Sequence, residues 1–195
     1  EFGVSARVPR TVAIVLNYQR EALTAACVES LERSDTPVEV LIVDNASPDG
    51  SGARLRARFP QHAYLDSGGN LGYAGGNALG TEWALSAGAE RVFIVNDDAE
   101  VASDCLRHLH AALDADPQAA AAAPLITYAE PADRVWWAGG HFSALRVMGT
   151  HEHAGQAIAA VDVAAGARAV QSLCGCAMLI TREALTTLSG LRADC

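Results

Sequence analysis

Arg91-Val92-Phe93-Ile94-Val95-Asn96-Asp97-Asp98 is a short apolar run that stops abruptly at an amide and two carboxylates. β-Branched and aromatic residues bounded by polar ones read as a buried strand, which puts the acids at its C-terminal end. Open α/β sheets bind their ligands at that end. If the backbone stays extended through the acids, Asn96 and Asp98 share one face and Asp97 takes the other, because side chains alternate along a strand. Two adjacent acids at a strand end cost a fold free energy unless something cationic or hydrogen-bonding uses them. The competing reading is a solvated turn in which Asp97 or Asp98 caps the next segment.

The residues before this strand repeat one pattern. Thr11 to Leu16 is an apolar run that opens into Asn17-Tyr18-Gln19; then Leu23, Cys27 and Leu31 recur at helical spacing until Asp35-Thr36-Pro37 closes the helix. Val38 to Val43 is a second buried strand, followed by Asp44-Asn45-Ala46-Ser47-Pro48-Asp49-Gly50 and by helix signals from Ser51 to Phe59. A weak strand over Ala63 to Asp66 leads into the glycine-rich stretch Ser67-Gly68-Gly69-Asn70-Leu71-Gly72-Tyr73-Ala74-Gly75-Gly76-Asn77. So many glycines are expensive in a helix unless a ligand or another backbone approaches closely; the alternative is a flexible loop and a tightly packed helix. The stretch contains neither G-x-G-x-x-G nor G-x-x-x-x-G-K-[ST], which argues against a dinucleotide enzyme or a P-loop ATPase. The helix runs on through Leu79, Trp83 and Ala87 to Gly88. This alternation of strand and helix implies a mostly parallel sheet with right-handed crossovers.

Beyond Asp98, Ser103 is the expected N-cap of a helix whose apolar side carries Leu106, Leu109, His110 and Leu113, ended by Asp116-Pro117. Leu125 to Tyr128 reads as a short strand and Val135 to Gly140 as a short strand and turn. The segment to Arg168 has little period, Val170 to Thr181 is strand-like around Gly175, and Thr181 caps a last helix that stops at Gly190. His108 and His110 read as surface and helix-face residues, His151-Glu152-His153 as an exposed loop rather than metal ligands, and Cys174 and Cys176 as core.

The 195 residues suit one sizeable domain, half hydrophobic and 19% charged, so disorder is not expected. Residues 1–10 read as a tail led by the remnant Glu1-Phe2-Gly3, and residues 11–195 as a single domain. A net charge of -9 argues against nucleic acid or an anionic membrane as the main partner. No apolar run approaches the ~18 residues of a membrane span, and no signal-peptide pattern is visible. Five cysteines, an odd number, fit the reduced thiols of a cytoplasm, with peripheral attachment to a membrane left open.

Taken in order, five motifs resemble one known family. They are Val12-Ala13-Ile14-Val15-Leu16-Asn17-Tyr18; Leu41-Ile42-Val43-Asp44-Asn45-Ala46-Ser47 with Asp49-Gly50; Asn70-Leu71-Gly72-Tyr73-Ala74-Gly75-Gly76-Asn77; Asn96-Asp97-Asp98; and Gly175-Cys176-Ala177-Met178-Leu179-Ile180. The order resembles the inverting, metal-dependent GT-A fold glycosyltransferases of family 2 type, especially the bacterial branch of rhamnosyltransferases and galactofuranosyltransferases.

The resemblance implies a Rossmann-like α/β nucleotide-sugar-binding fold with a mostly parallel central sheet and helices on both faces. It implies inverting transfer from a UDP- or dTDP-sugar to a hydroxyl of a glycan, lipid-linked or small-molecule acceptor, assisted by Mg²⁺ or Mn²⁺. Leu16 and Tyr18 would flank the nucleobase and Asp44 would hydrogen-bond it. Asn45, Asn70, Gly72, Gly76 and Asn77 would line the donor, with Gly76 standing where relatives often carry Arg, so that backbone approach replaces charge pairing. Asn96 would replace the first acid of a D-x-D motif, Asp97 would face the ribose and Asp98 would bind the cation.

Relatives carry the general base in a Glu-Asp pair past the glycine that corresponds to Gly190. It is therefore expected beyond Cys195, with Asp194 as a substitute candidate and the chain read as truncated in its acceptor part. A catalytically incomplete nucleotide-sugar-binding module is the alternative. A sugar nucleotidylyltransferase would want a glycine-rich loop bearing Arg and Lys after the first strand, which Asn17-Tyr18-Gln19-Arg20 does not provide.

Overall fold

The computed structural model describes residues 7–143, 148–161, 166–188 and 190–191. Its central sheet is built from β1 (Thr11–Asn17), β2 (Glu39–Asp44), β3 (Ala63–Asp66), β4 (Arg91–Val95), β5 (Ala121–Ala122) and a late strand, β10 (Ala177–Thr181). The order across the sheet is β3-β2-β1-β4-β10-β5. β1, β2, β3 and β4 are parallel neighbours, and β10 runs antiparallel to both β4 and β5. The expectation of a mostly parallel sheet holds, with one antiparallel strand that the apolar run at 177–181 could not orient by itself.

Helices cover both faces, and strand alternation divides the core accordingly. Ala13 and Val15 of β1, Val40 and Ile42 of β2, and Phe93 and Val95 of β4 face one layer. There they meet Cys27, Val28 and Leu31 of α1 (Glu21–Glu32), Leu55 of α2 (Ser51–Arg58), and Leu106, Leu109 and Leu113 of α4 (Cys105–Ala115). Val12, Ile14, Leu41, Val43, Val92 and Ile94 face the other, against Ala84 of α3 (Gly72–Ser86) and Leu185 of α5 (Arg182–Thr187). Burial on both faces is why these strands read as unbroken apolar runs.

The connections set the site. From β1 the chain steps through α1 to β2 and through α2 to β3; α3 then returns it across the opposite face to β4, on the other side of β1. The direction of winding therefore reverses between β1 and β4. At such a switch point the loops leaving the two strands diverge and leave a crevice at their C-terminal ends.

Several local expectations shift. Leu23 is 43% exposed, and α1 instead buries Thr24, Ala25, Cys27, Val28 and Leu31. Asp104, not Ser103, occupies the N-cap of α4, without a side-chain capping bond. Thr181 does cap the last helix, accepting from the Ala184 N–H, and Gly190 takes φ 89° beyond its end. The stretch expected to lack period carries an antiparallel hairpin of β8 (Gly140–Ser143) and β9 (Met148–His151), preceded by a small pairing of β6 (Ile126–Thr127) with β7 (Val135–Trp137).

In α3 the residues turned to the sheet are small. A Cβ on Gly80 would lie 2.8 Å from Ile14 Cγ2 and 3.1 Å from Val43 Cγ2, and one on Gly76 would lie 2.4 Å from Leu16 Cδ1. The glycines here serve close helix–sheet approach, while Leu79 and Trp83 flank the contact half-buried.

Candidate functional site

Four loops meet at the C-terminal edge of the parallel strands, and a buried amide ties two of them. Asn17 ends β1 and is paired in register with Asp44 at the end of β2. Its Nδ2 donates to Asp44 Oδ1 at 2.7 Å and to Ser47 Oγ and Ser51 Oγ, both at 3.0 Å. Its Oδ1 accepts from Thr24 Oγ1 at 3.0 Å and from the Arg20 N–H at 3.3 Å. One side chain thus holds the ends of β1 and β2 and the starts of α1 and α2. Gln19 and Ala46, in the two loops, both take positive φ (58° and 57°), a conformation non-glycine residues adopt only where their surroundings impose it.

Asp44 is 5% exposed. Oδ1 accepts from Asn17 and from Ser47 Oγ (2.6 Å), and Oδ2 accepts from the Ser47 N–H (3.1 Å). A carboxylate has about four acceptor directions, so one on Oδ2 remains for a ligand N–H. Gly52 leaves room for it: a Cβ there would sit 2.3 Å from Oδ2.

Asn45 and Asn70 spend their amides on loop geometry. Asn45 Nδ2 donates to Asn70 Oδ1 (3.0 Å) and Gly72 O (3.1 Å), its Oδ1 accepts the Leu71 N–H (2.9 Å), and Asn70 Oδ1 also accepts the Gly72 N–H (2.9 Å). Gly72 opens α3 at φ 68°, which favours glycine. Tyr73, at the start of α3, donates its hydroxyl to Gly175 O at 2.5 Å, and burial first of all pushes that phenol up to about 12. Asn77 donates to Tyr73 O, and its Oδ1 is buried without a partner. Leu16 is half-buried behind Gly76, and Tyr18 is 38% exposed at the mouth of the β1 loop.

The acids after β4 depart from strand alternation. The chain turns at Asn96, where the Ala99 N–H donates to Asn96 O, so Asp97 and Asp98 both address the same group rather than opposite faces. That group is Arg20, whose Nη1 lies 3.2 Å from Asp97 Oδ1 and whose Nη2 lies 3.0 Å from Asp98 Oδ2. The Asp97 side chain is 11% exposed and that of Asp98 43%. Burial raises the Asp97 carboxyl above its ordinary value, Arg20 opposes this, and Asp98 adds to it. Asn96 donates its N–H to Cys176 O at 2.8 Å, and its side-chain oxygen is buried without a partner. Beneath it, burial and the two acids push the Cys27 thiol up to about 12. Burial likewise pushes the Cys176 thiol up to about 11. Cys27 is a core residue, whereas Cys174 and Cys176, expected in the core, are only partly buried.

The donor set fits a hard divalent cation. It consists of carboxylate oxygens, one of them solvent-facing, with a guanidinium already standing as positive charge between them. Among the described residues no group of three or more His, Cys, Asp and Glu is placed to hold a metal unaided, so the other ligands would have to be phosphate and water oxygens. The His151-Glu152-His153 loop is otherwise engaged: His151 Nδ1 lies 3.2 Å from Trp136 O, Glu152 pairs with Arg168 and His141, and His153 Nδ1 lies 3.1 Å from Gln156 Oε1. Asp194 lies outside the described residues.

Arg20, Asn17, Ser47 and Gly52 were missed as site residues. The one hint was local: Asn17 and Asp44 both end apolar strands, so in a parallel pair they meet.

The sheet with its switch point between β1 and β4, carrying paired acids there, defines an α/β domain of the GT-A kind. Residues 12–187 match Glycosyl transferase family 2, and the chain belongs to that family. It is 33% identical over 99 residues to the low-salt glycan biosynthesis hexosyltransferase Agl10 of Haloferax volcanii, covering 50% of this chain and 30% of that protein. It is 32% identical over 87 residues to the galactofuranosyltransferase GlfT1 of Mycolicibacterium smegmatis, covering 44% and 29%.

Among solved structures, the mannosyltransferase PcManGT of Pyrobaculum calidifontis, in complex with GDP-Man and Mn²⁺, superposes with a TM-score of 0.60 at 22% identity, covering 97% of this chain and 49% of that one. Residues 1–349 of S. aureus TarS superpose with a TM-score of 0.59 at 16% identity, covering 95% and 51%. These likenesses establish the fold. The chain spans about half the length of those structures, and its matched stretch under a third of the two sequence relatives. Among the described residues no helix is long and apolar enough to cross a membrane.

Proposed function

We propose that this chain is the donor-binding part of a glycosyltransferase that moves a hexose from a nucleoside-diphosphate donor to an acceptor hydroxyl with inversion. The observation that carries the proposal is the placement of Asp44 and of the Asp97–Asp98 pair at one edge of the sheet, on either side of the β1 loop. The two relatives named as a hexosyltransferase and a galactofuranosyltransferase support the transferred group, and the GDP-Man and Mn²⁺ complex of PcManGT supports the ligand class. UDP and dTDP remain the first donors to test, with GDP beside them.

In this reading Leu16 and the exposed ring of Tyr18 flank the base, and the free direction on Asp44 Oδ2 accepts a base N–H, a charge-assisted bond. Asp97 would face the ribose and Asp98 would hold Mg²⁺ or Mn²⁺, which would supply neutralisation of the charge that builds on the diphosphate as the sugar–oxygen bond breaks. The acceptor hydroxyl loses its proton to a general base, and a single displacement inverts the anomeric carbon.

Calorimetry with UDP, dTDP and GDP in Mn²⁺ tests the reading. Binding by at least one nucleotide that Asp98→Ala abolishes is expected. Metal-independent binding untouched by Asp98→Ala overturns the site.

A further inference from the structure

The paired acids are held by a single side chain, and that chain is not locked in place. Arg20 has its backbone fixed on both sides: its N–H donates to Asn17 Oδ1, and its carbonyl accepts from the Thr24 N–H (2.9 Å). Its side chain is 45% exposed and makes one contact to each acid. A guanidinium carries five N–H donors, so most remain available. The sequence contains no lysine, so any strong, permanent positive charge offered by a side chain must come from arginine. Other arginines with ion pairs among the described residues are committed elsewhere, among them Arg10 to Glu39, Arg54 to Glu21, Arg58 to Glu29, Arg91 to Asp114, Arg107 to Asp35 and Arg168 to Glu152.

We propose that Arg20 is an exchangeable counter-charge, resting on Asp97 and Asp98 when no cation is bound and swinging to the donor's diphosphate when a cation takes the acids. The proposal rests on the reading of these acids as the cation site. Its physical basis is competition. A dication and a guanidinium drawn to the same pair of carboxylates compete, because like charges so close repel; an incoming diphosphate offers alternative acceptors, which suit the planar fork of arginine. Because the backbone is tied to the Asn17 knot, the exchange needs side-chain rotation only.

The signature is a pair of effects of opposite sign. Mn²⁺ binding is measured by electron paramagnetic resonance on the full chain, and UDP, dTDP and GDP binding by calorimetry at saturating Mn²⁺, for the parent, Arg20→Ala, Arg20→Lys and Asp98→Asn. Removing the competitor is expected to tighten Mn²⁺ alone about 2- to 5-fold, the scale of a half-exposed ion pair. Removing a charge-assisted phosphate contact is expected to weaken the nucleoside diphosphate about 10-fold or more. Arg20→Lys should lie between parent and alanine, and both variants should melt close to the parent.

Unchanged affinities in Arg20→Ala overturn the proposal, as does a loss of both affinities together, which marks a merely structural residue. A parent that binds Mn²⁺ nowhere, or whose Mn²⁺ binding survives Asp98→Asn, overturns the underlying site reading and this proposal with it.

Discussion

Replacing Gly52 by alanine puts one methyl group against the Asp44 carboxylate, and the consequences can be worked through. The added Cβ would lie 2.3 Å from Asp44 Cγ and Oδ2 and 2.7 Å from Tyr64 Oη, closer than real carbons come. Both Gly52 and Asp44 are buried, so the carboxylate must swing away from α2. It then gives up the Ser47 N–H bond on Oδ2 and strains those from Asn17 and Ser47 on Oδ1. Losing one or two hydrogen bonds to a charged group costs about 2–5 kcal/mol, and alanine in a helix returns up to about 1, leaving a net loss of about 1–4 kcal/mol.

With a urea slope of about 1–3 kcal/mol/M, the unfolding midpoint should fall by about 1 M with the slope unchanged. In the same variant the nucleoside diphosphate should bind about 10-fold more weakly, although Gly52 has no side chain to touch it. A Gly52→Ala protein that unfolds at the parent midpoint and binds nucleotide equally well refutes both the packing and the role given to Asp44.

Gly80→Ala is the matching control, since its Cβ would press on Ile14 and Val43 in the core rather than on the site. Overpacking less the helix gain should cost up to about 2 kcal/mol by urea denaturation while nucleotide affinity is kept; an equal loss of affinity would show that α3 packing and site geometry are inseparable. His110 should make the protein acid-sensitive. Arg91 can only donate to its Nδ1 (2.6 Å), so Nε2 carries the hydrogen toward Thr11 Oγ1 (3.1 Å) and the ring is held neutral, with Asp114 as the other charge nearby. Burial, then Arg91, depress its pKa below the ordinary 6.5, with Asp114 opposing. The unfolded chain therefore takes up the proton first, and stability is full above 6.5 and falls as the pH drops from there toward the depressed value. Melting curves between pH 7 and 5 should show this decline, flattened in His110→Gln; a parent whose stability rises over that range contradicts the neutral imidazole.

Local pattern placed the strands and most helices because their causes are local. β1, β2 and β4 are apolar on both faces, and a run of that kind bounded by polar residues has few other homes. Parallel pairing then follows from the alternation with helices, and with it the gathering of Asp44, Asn96, Asp97 and Asp98 at one edge. Pattern misplaced what depends on a partner. In α3 the large residues Leu79 and Trp83 carry the helical period, yet the sheet takes Gly76, Gly80 and Ala84, because the distance between helix and sheet is set by Leu16, Ile14 and Val43. Asp97 and Asp98 alternate only if the strand continues, and the chain turns at Asn96.

Arg20 lies 77 residues from Asp97 in sequence, and nothing near it in the chain announces the pairing. Which arginine faces which acid is decided where the winding reverses between β1 and β4, a long-range outcome of packing both sheet faces. The sheet and its acidic edge are therefore properties of the sequence read locally. The charge balance at that edge exists only once the fold has closed.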